Sequence, residues 1–223
     1  MTDPHAPAPA PCHRLIPSQF PPIGLFDTVA TPADLMAVME LAGWTNDRLV
    51  SERLARLPER EWVHDRPNSS VIMASFLHVA PGGMRFNGPD LGAWYAAAHL
   101  ATAVAEVGHH LRREAVARGL GRASRRYRAY ICRLAGSYLD LRGAQARRSD
   151  VYASDSYAVS QHLGETVRAS GGDGIIYDSL RHAGGTNVAA HRPRNIAEVV
   201  QAAHYEISIE AGARRIDVTT LAL

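Results

Sequence analysis

Apolar residues recur at helical spacing through Leu100, Val104, Val107 and Leu111, which predicts a helix with one buried stripe. Ala93 to Ala97, just before it, is short, apolar and aromatic, the pattern of a strand entering that helix. Val71 to Val79 is an apolar run and reads as a buried strand. Thr31-Pro32-Ala33-Asp34 is a helix start, with Thr31 as N-cap and Pro32 in the first turn. Leu35, Met36 and Met39 continue it, and Gly43 closes it. A second helix is expected over 46–57, with Leu49, Leu54 and Leu57 inward and Pro58 ending it. Residues 13–30 are punctuated by prolines and predict a short strand followed by extended loop, and 64–70 are loop. Further on, 129–141 reads as one or two strands broken at Gly136, and a helix from about 156 to 169 is closed by Gly171-Gly172. GIIYDSLR (174–181) reads as a strand, and 204–220 as a hairpin turning at Ala211-Gly212. These elements follow no βαβ rhythm and show no internal repeat, which favours an α+β fold over a doubly wound sheet.

At 223 residues the chain can bury one sizeable core. Alternating Ala-Pro makes residues 1–12 an expected disordered tail. Residues 13–223 then form a single domain: a strand and helical extension over 13–69, a core over 70–195 and a C-terminal hairpin over 196–223. No apolar run reaches the ~20 residues that span a bilayer, and the N-terminus lacks the apolar segment of a signal peptide. Cys12 and Cys132 make neither a disulfide framework nor a zinc site. The expected compartment is the cytoplasm. The 24 basic residues, all arginine, balance 22 acidic ones to a net charge of +2, so a lone arginine carries little weight unless its setting is special.

One setting is special. In GGMRFNGPDLGAWYAAAHLATAVAE (82–106), glycines flank Arg85, Tyr95 follows in a short apolar run, and Glu106 lies on the predicted helix at the edge of its buried stripe. The glycines let backbone approach a ligand, and a guanidinium fork matches a phosphate or diphosphate. Tyr95 can stack on a planar ring. Glu106 can accept from a ribose hydroxyl and oppose positive charge developing at an anomeric carbon. Ser179 and Arg181, at alternate positions of the predicted strand, would face the same way. Each residue alone has an ordinary alternative: a surface arginine on a turn, a core tyrosine, a solvated helix glutamate, a strand-end serine. His78, His99, His109 and His110 match no metal-ligand spacing, so no metal site is expected. The signatures GxGxxG, GxxxxGK[ST] and GxSxG are absent.

The ordered set Arg85 in GMRFNG, Tyr95 in WYAA, Glu106 in AVAE, Ser179 in YDSLR and Asn187 in GGTNVA resembles the RES domain, a family of toxins from bacterial toxin–antitoxin pairs. The similarity covers roughly 70–195, and the segment HRLIPSQFPPIGLFD is similar to the first strand of one RES subgroup. The resemblance implies an ADP-ribosyltransferase-like split mixed β-sheet flanked by helices. It also implies degradation of NAD at the nicotinamide–ribose bond, by hydrolysis or phosphorolysis. NAD would be a substrate rather than a cofactor, with inorganic phosphate as a candidate co-substrate. Arg85 would hold the diphosphate or an incoming phosphate, and Tyr95 would stack on nicotinamide or shape its pocket. Glu106 would stabilise the positive sugar, Ser179 would position the ribose, and Asn187 would assist. An Xre-like helix-turn-helix antitoxin is the implied partner, and toxin–antitoxin assemblies make a homodimer an expectation.

Two rival activities differ in the residues they use. The cleft could transfer ADP-ribose to a protein, although no extra target-recognition segment is evident. Alternatively, the arginine run from 112 to 128 could bind nucleic acid, or dock an acidic antitoxin segment. The low net charge, the missing RRM, KH and helix-turn-helix signatures, and Gly119 and Gly121 favour a solvated helix end and loop instead.

Overall fold

The computed structural model describes residues 4–19, 26–31, 33–34, 37 and 48–222. Among these, nine strands form one sheet: β1 His5–Ala6, β2 Cys12–Pro17, β3 Trp94–Ala97, β4 Arg122–Leu134, β5 Tyr138–Asp140, β6 Gly174–Asp178, β7 Thr186–Ala190, β8 Ile196–Glu210 and β9 Ile216–Leu221. Their spatial order is β1-β5-β6-β7-β3-β2-β4-β8-β9. β5 and β6 run parallel, and every other pair is antiparallel. Helices α2 Ser69–Leu77, α3 Leu100–Ala117 and α4 Ala158–Ala169 pack against this sheet, and α1 Arg48–Ala55 packs on α2. The expected α+β class, a mixed sheet flanked by helices, is the observed one.

The sheet is covered on both faces, which is why its central strands read as near-continuous apolar runs. On one face Trp94, Ala96, Tyr130, Ile176 and Val188 pack beneath Ile72, Met73 and Phe76 of α2. On the other, Leu15, Ala97, Tyr127 and Ile207 pack with Ala103 of α3. Beside them Phe86, Ile175, Tyr177 and Ala189 meet Leu163 and Val167 of α4.

One seam of the sheet is nearly open. β2 pairs with β4 from Cys12↔Cys132 to Pro17↔Tyr127, and β3 pairs with β7 from Trp94↔Ala190 to Ala97↔Asn187. Between β2 and β3 the register holds one pair alone, His13↔Ala97. The strands diverge from there, and this divergence is the expected split of the sheet.

Several sequence expectations are corrected. The run at 71–79 is helical rather than a strand: seven of the nine residues of α2 are buried, so no polar face betrays its period. Its first turn is satisfied from far along the chain, since the Ser70 N–H donates to Asp27 Oδ1 at 2.7 Å. Residues 4–12 of the Ala-Pro segment are ordered. His5 and Ala6 pair with Leu139 and Tyr138, and Asp140 N–H donates to Pro4 O at 2.8 Å. An edge position suits prolines, because no second neighbour needs their missing N–H. β6 stops at Asp178 rather than continuing to Arg181, and β8 begins at Ile196, ahead of the expected hairpin. Part of the arginine run is strand, because β4 starts at Arg122.

Other expectations hold. Asp34 N–H donates to Thr31 Oγ1 at 3.1 Å, the N-cap read from sequence; Leu35, Met36, Met39 and Gly43 lie outside the described residues. α1 falls within the expected 46–57 with Leu54 and Leu57 buried, while Asn46 and the Leu49 side chain lie outside the described residues. Gly136, at φ +108°, breaks the chain between β4 and β5 as expected.

Candidate active site

A cavity of about 300 Å³ lies where β2 and β3 part, walled by residues of those strands, α3, the 78–93 segment and the end of β6. Arg85, Tyr95, Glu106 and Asn187 all line it. The fold therefore brings four of the five sequence candidates to one hollow.

The position of Arg85 is built by a tight turn. Met84 and Asn87 bridge each other through N–H to O contacts of 2.9 and 3.4 Å. Gly83 enters that turn at φ +70°, where a Cβ would lie 2.3 Å from Asn87 O, so no other residue fits. Phe86, fully buried, sits edge-on to Tyr177 with ring centroids 4.8 Å apart. Helix α4 clamps the turn: Gln161 Nε2 donates to Gly82 O and Met84 O, and Gly88 N–H donates to Glu165 Oε1. Arg85 as a residue is 8% exposed. Its Nη1 donates to Val151 O at 3.0 Å and Ala153 O at 3.1 Å, and its face lies 4.7 Å from the Tyr157 ring. Nε and Nη2 make no hydrogen bond, and no carboxylate pairs with the group, among the described residues. The result is a fixed, nearly buried cation whose remaining donors are free for an anion.

Tyr95 holds this turn from β3. Its hydroxyl accepts from Phe86 N–H at 2.9 Å and donates to Asn87 Oδ1 at 2.8 Å, and burial raises its pKa well above the ordinary range. Tyr95 lines the cavity, but its hydroxyl is already committed to the turn that carries Arg85.

Glu106 projects from α3 and is half-buried. Its Oε1 accepts from Ser179 Oγ and from Asn187 Nδ2, each at 2.7 Å. Oε2 makes no hydrogen bond among the described residues and is free for a substrate hydroxyl. Ser179 in turn accepts from the N–H groups of Arg181 and His182, at 3.1 and 3.0 Å. That contact is a turn and not a strand, so the expected alternation of Ser179 and Arg181 on one strand face fails. Ser179 is buried behind Glu106, outside the cavity wall, whereas Arg181 lines the wall. His182 Nδ1, 2.8 Å from Thr102 Oγ1, ties this turn to α3.

Arg14 on β2 was not among the sequence candidates. It lies across the open seam, with Nη1 donating to Tyr95 O at 2.8 Å and the guanidinium 4.5 Å above the Trp94 ring. It too lines the cavity. Burial lowers its pKa to about 10, which leaves it charged at neutral pH. The signal was present in the alternation of β2: Cys12, Arg14 and Ile16 share the face that packs into the core, and an arginine there needs a reason. Arg14, Arg85 and Arg181 thus oppose one carboxylate, Glu106, and the cavity favours an anionic ligand that also offers hydroxyls. No cluster able to hold a metal ion occurs among the described residues.

Part of the arginine run is internally employed. Arg125 Nη2 contacts both Glu114 oxygens at 2.9 and 2.8 Å, Arg118 pairs with the same carboxylate, and Arg112 donates to the carbonyls of Glu210, Arg214 and Arg215. Arg125 and Arg112 thereby fasten α3 to the β4-β8-β9 ribbon.

The RES domain family model matches residues 53–210, a span that includes Arg85, Tyr95, Glu106, Ser179 and Asn187. Among solved structures, the M. tuberculosis MbcT–MbcA toxin–antitoxin complex contains a similar chain at 16% identity with a TM-score of 0.47, covering 89% of this chain and 87% of that one. No curated protein matches the sequence.

Proposed function

The chain belongs to the RES domain family, and from that premise we propose that it is the toxin of a toxin–antitoxin pair, an enzyme that cleaves the nicotinamide–ribose bond of NAD. The observation that carries this reading is the pairing, in one cavity, of the unneutralised Arg85 with a Glu106 whose Oε2 is free. A volume of about 300 Å³ is at the lower end of ligand sites and suits the nicotinamide-ribose end of a dinucleotide.

Nicotinamide leaves as a neutral base from a cationic nucleotide, so the leaving group needs no proton. The barrier lies in the cationic sugar and its orientation. Glu106 Oε2 accepts a ribose hydroxyl and faces the developing charge, while Ser179 and Asn187 fix Oε1 so that the carboxylate need not reorganise. Arg85 and Arg14 hold the diphosphate. Tyr95 shapes the pocket with its ring and keeps the Arg85 turn in place through its hydroxyl. A cognate antitoxin restrains the activity in the cell that makes both proteins.

The test is incubation of the purified chain with NAD, followed by mass spectrometry. Release of nicotinamide with ADP-ribose or its 1-phosphate supports the reading. ADP-ribose bound covalently to protein would point to transfer instead, and intact NAD would reject both.

A further inference from the structure

Two histidines in the cavity wall are not used by the reading above. His109 and His110 follow Glu106 by three and four positions on α3, so both rise on its side of the helix, one turn along. Their rings meet edge to face with centroids 5.6 Å apart. They differ in access. His109 Nε2 is sealed from solvent without a hydrogen-bond partner among the described residues, whereas His110 stays solvent-exposed as a residue.

We infer that His110 is the base that activates water in this cavity, so that NAD cleavage here is hydrolysis and not phosphorolysis. The inference rests on the NAD-cleaving reading and supplies its acceptor. Glu106 cannot serve both purposes, because Oε1 is occupied by Ser179 and Asn187 and Oε2 is assigned to the ribose. Arg113, Arg181, Arg85 and Glu106 are the charged groups around the imidazole. Desolvation, then Arg113, Arg181 and Arg85, lower its pKa from the usual value, against the pull of Glu106. At neutral pH the ring is therefore an uncharged base, which a water nucleophile needs and a phosphate dianion does not.

In the step, the water oxygen bonds to the anomeric carbon as the carbon–nitrogen bond breaks. That electron pair goes to nicotinamide, which leaves neutral. One water proton passes to His110, which later releases it to solvent. NAD and water give ADP-ribose, nicotinamide and one proton.

The test uses the full chain in ¹⁸O-labelled water, with and without inorganic phosphate, over a range of pH, together with His110→Ala and His110→Gln. The wild type should give ADP-ribose carrying one ¹⁸O at a rate indifferent to phosphate. Its kcat should rise with pH to a plateau, with an apparent pKa below 6.5. Both variants should lose about a hundredfold or more in kcat with little change in KM. They should also lose that ionisation, and added imidazole should partly restore the rate of His110→Ala, which an unfolded variant could not show. ADP-ribose 1-phosphate as product, or variants with wild-type kcat and pH profile, would overturn the assignment while leaving NAD cleavage intact. A wild type that leaves NAD whole would sink the underlying reading and this one with it.

Discussion

Glu106 Oε1 and Asn187 Nδ2 lie 2.7 Å apart, although their residues are 81 positions apart in the chain. The contact joins α3 to β7 across the cavity and, with Ser179, commits one carboxylate oxygen so that the other is presented alone. Glu106→Gln keeps an oxygen acceptor for both donors but removes the charge. A charge-stabilising contact of this type is worth ~3–4 kcal/mol, so kcat for NAD loss should fall about a hundredfold or more. The thermal midpoint should be nearly unchanged. Wild-type turnover in this variant would remove Glu106 from the mechanism.

Tyr95→Phe tests the turn that carries Arg85. The substitution leaves Phe86 N–H without its acceptor and Asn87 Oδ1 without its donor, in residues that are both fully buried. A loss of about 1–3 kcal/mol is expected in denaturant unfolding, together with weaker NAD binding as Arg85 loses its support. An unchanged unfolding midpoint would mean that the hydroxyl does not hold the turn.

Two helix glycines should respond to alanine with different severity. In an exposed helix, Gly→Ala gains up to about 1 kcal/mol. At Gly164 on α4 a Cβ would lie 2.1 Å from the Phe86 carbonyl oxygen, which is backbone and cannot yield, so Gly164→Ala should destabilise by several kcal/mol and lower activity. At Gly108 on α3 the nearest atom, 2.5 Å away, is the end of the Ile216 side chain, which can turn aside. Gly108→Ala should cost far less. Thermal unfolding of the two variants side by side gives the answer.

Stability should fall in mild acid. His191 is buried, with Nε2 3.2 Å from Phe86 O. Burial, then Arg168, lowers its pKa from 6.5 to about 3, against the pull of the Phe86 carbonyl. Between these values the unfolded chain binds a proton that the folded chain refuses, so stability rises with pH across the window and is lost as pH falls below 6.5. The slope contributed is up to about 1.4 kcal/mol per pH unit. His109, lowered to about 4, acts in the same direction. Melting temperatures from pH 7 down to pH 4 should decline less steeply in His191→Gln than in the wild type.

Arg85→Lys should raise KM for NAD by about tenfold or more. A point-charge ammonium cannot bond two carbonyls, stack on Tyr157 and still present a free edge to an anion.

Much was legible from local pattern. The stripe of α3, the Thr31 cap, the break at Gly136 and the β8-β9 hairpin follow from side-chain period and backbone preference, which act within a few residues. The order of Arg85, Tyr95, Glu106, Ser179 and Asn187 was enough to name the family. What only the tertiary structure decided involves partners distant in sequence. Asp27 caps a helix whose apolar run could equally have been a strand. Arg14 gains its meaning from a seam that exists because β2 and β3 share a single pair. Ser179 turns away from the cavity because its oxygen collects two N–H groups and Glu106. Propensity is local and is written in each short stretch of chain; hydrogen-bond satisfaction and burial depend on which surfaces meet, and that is known only once the sheet has assembled.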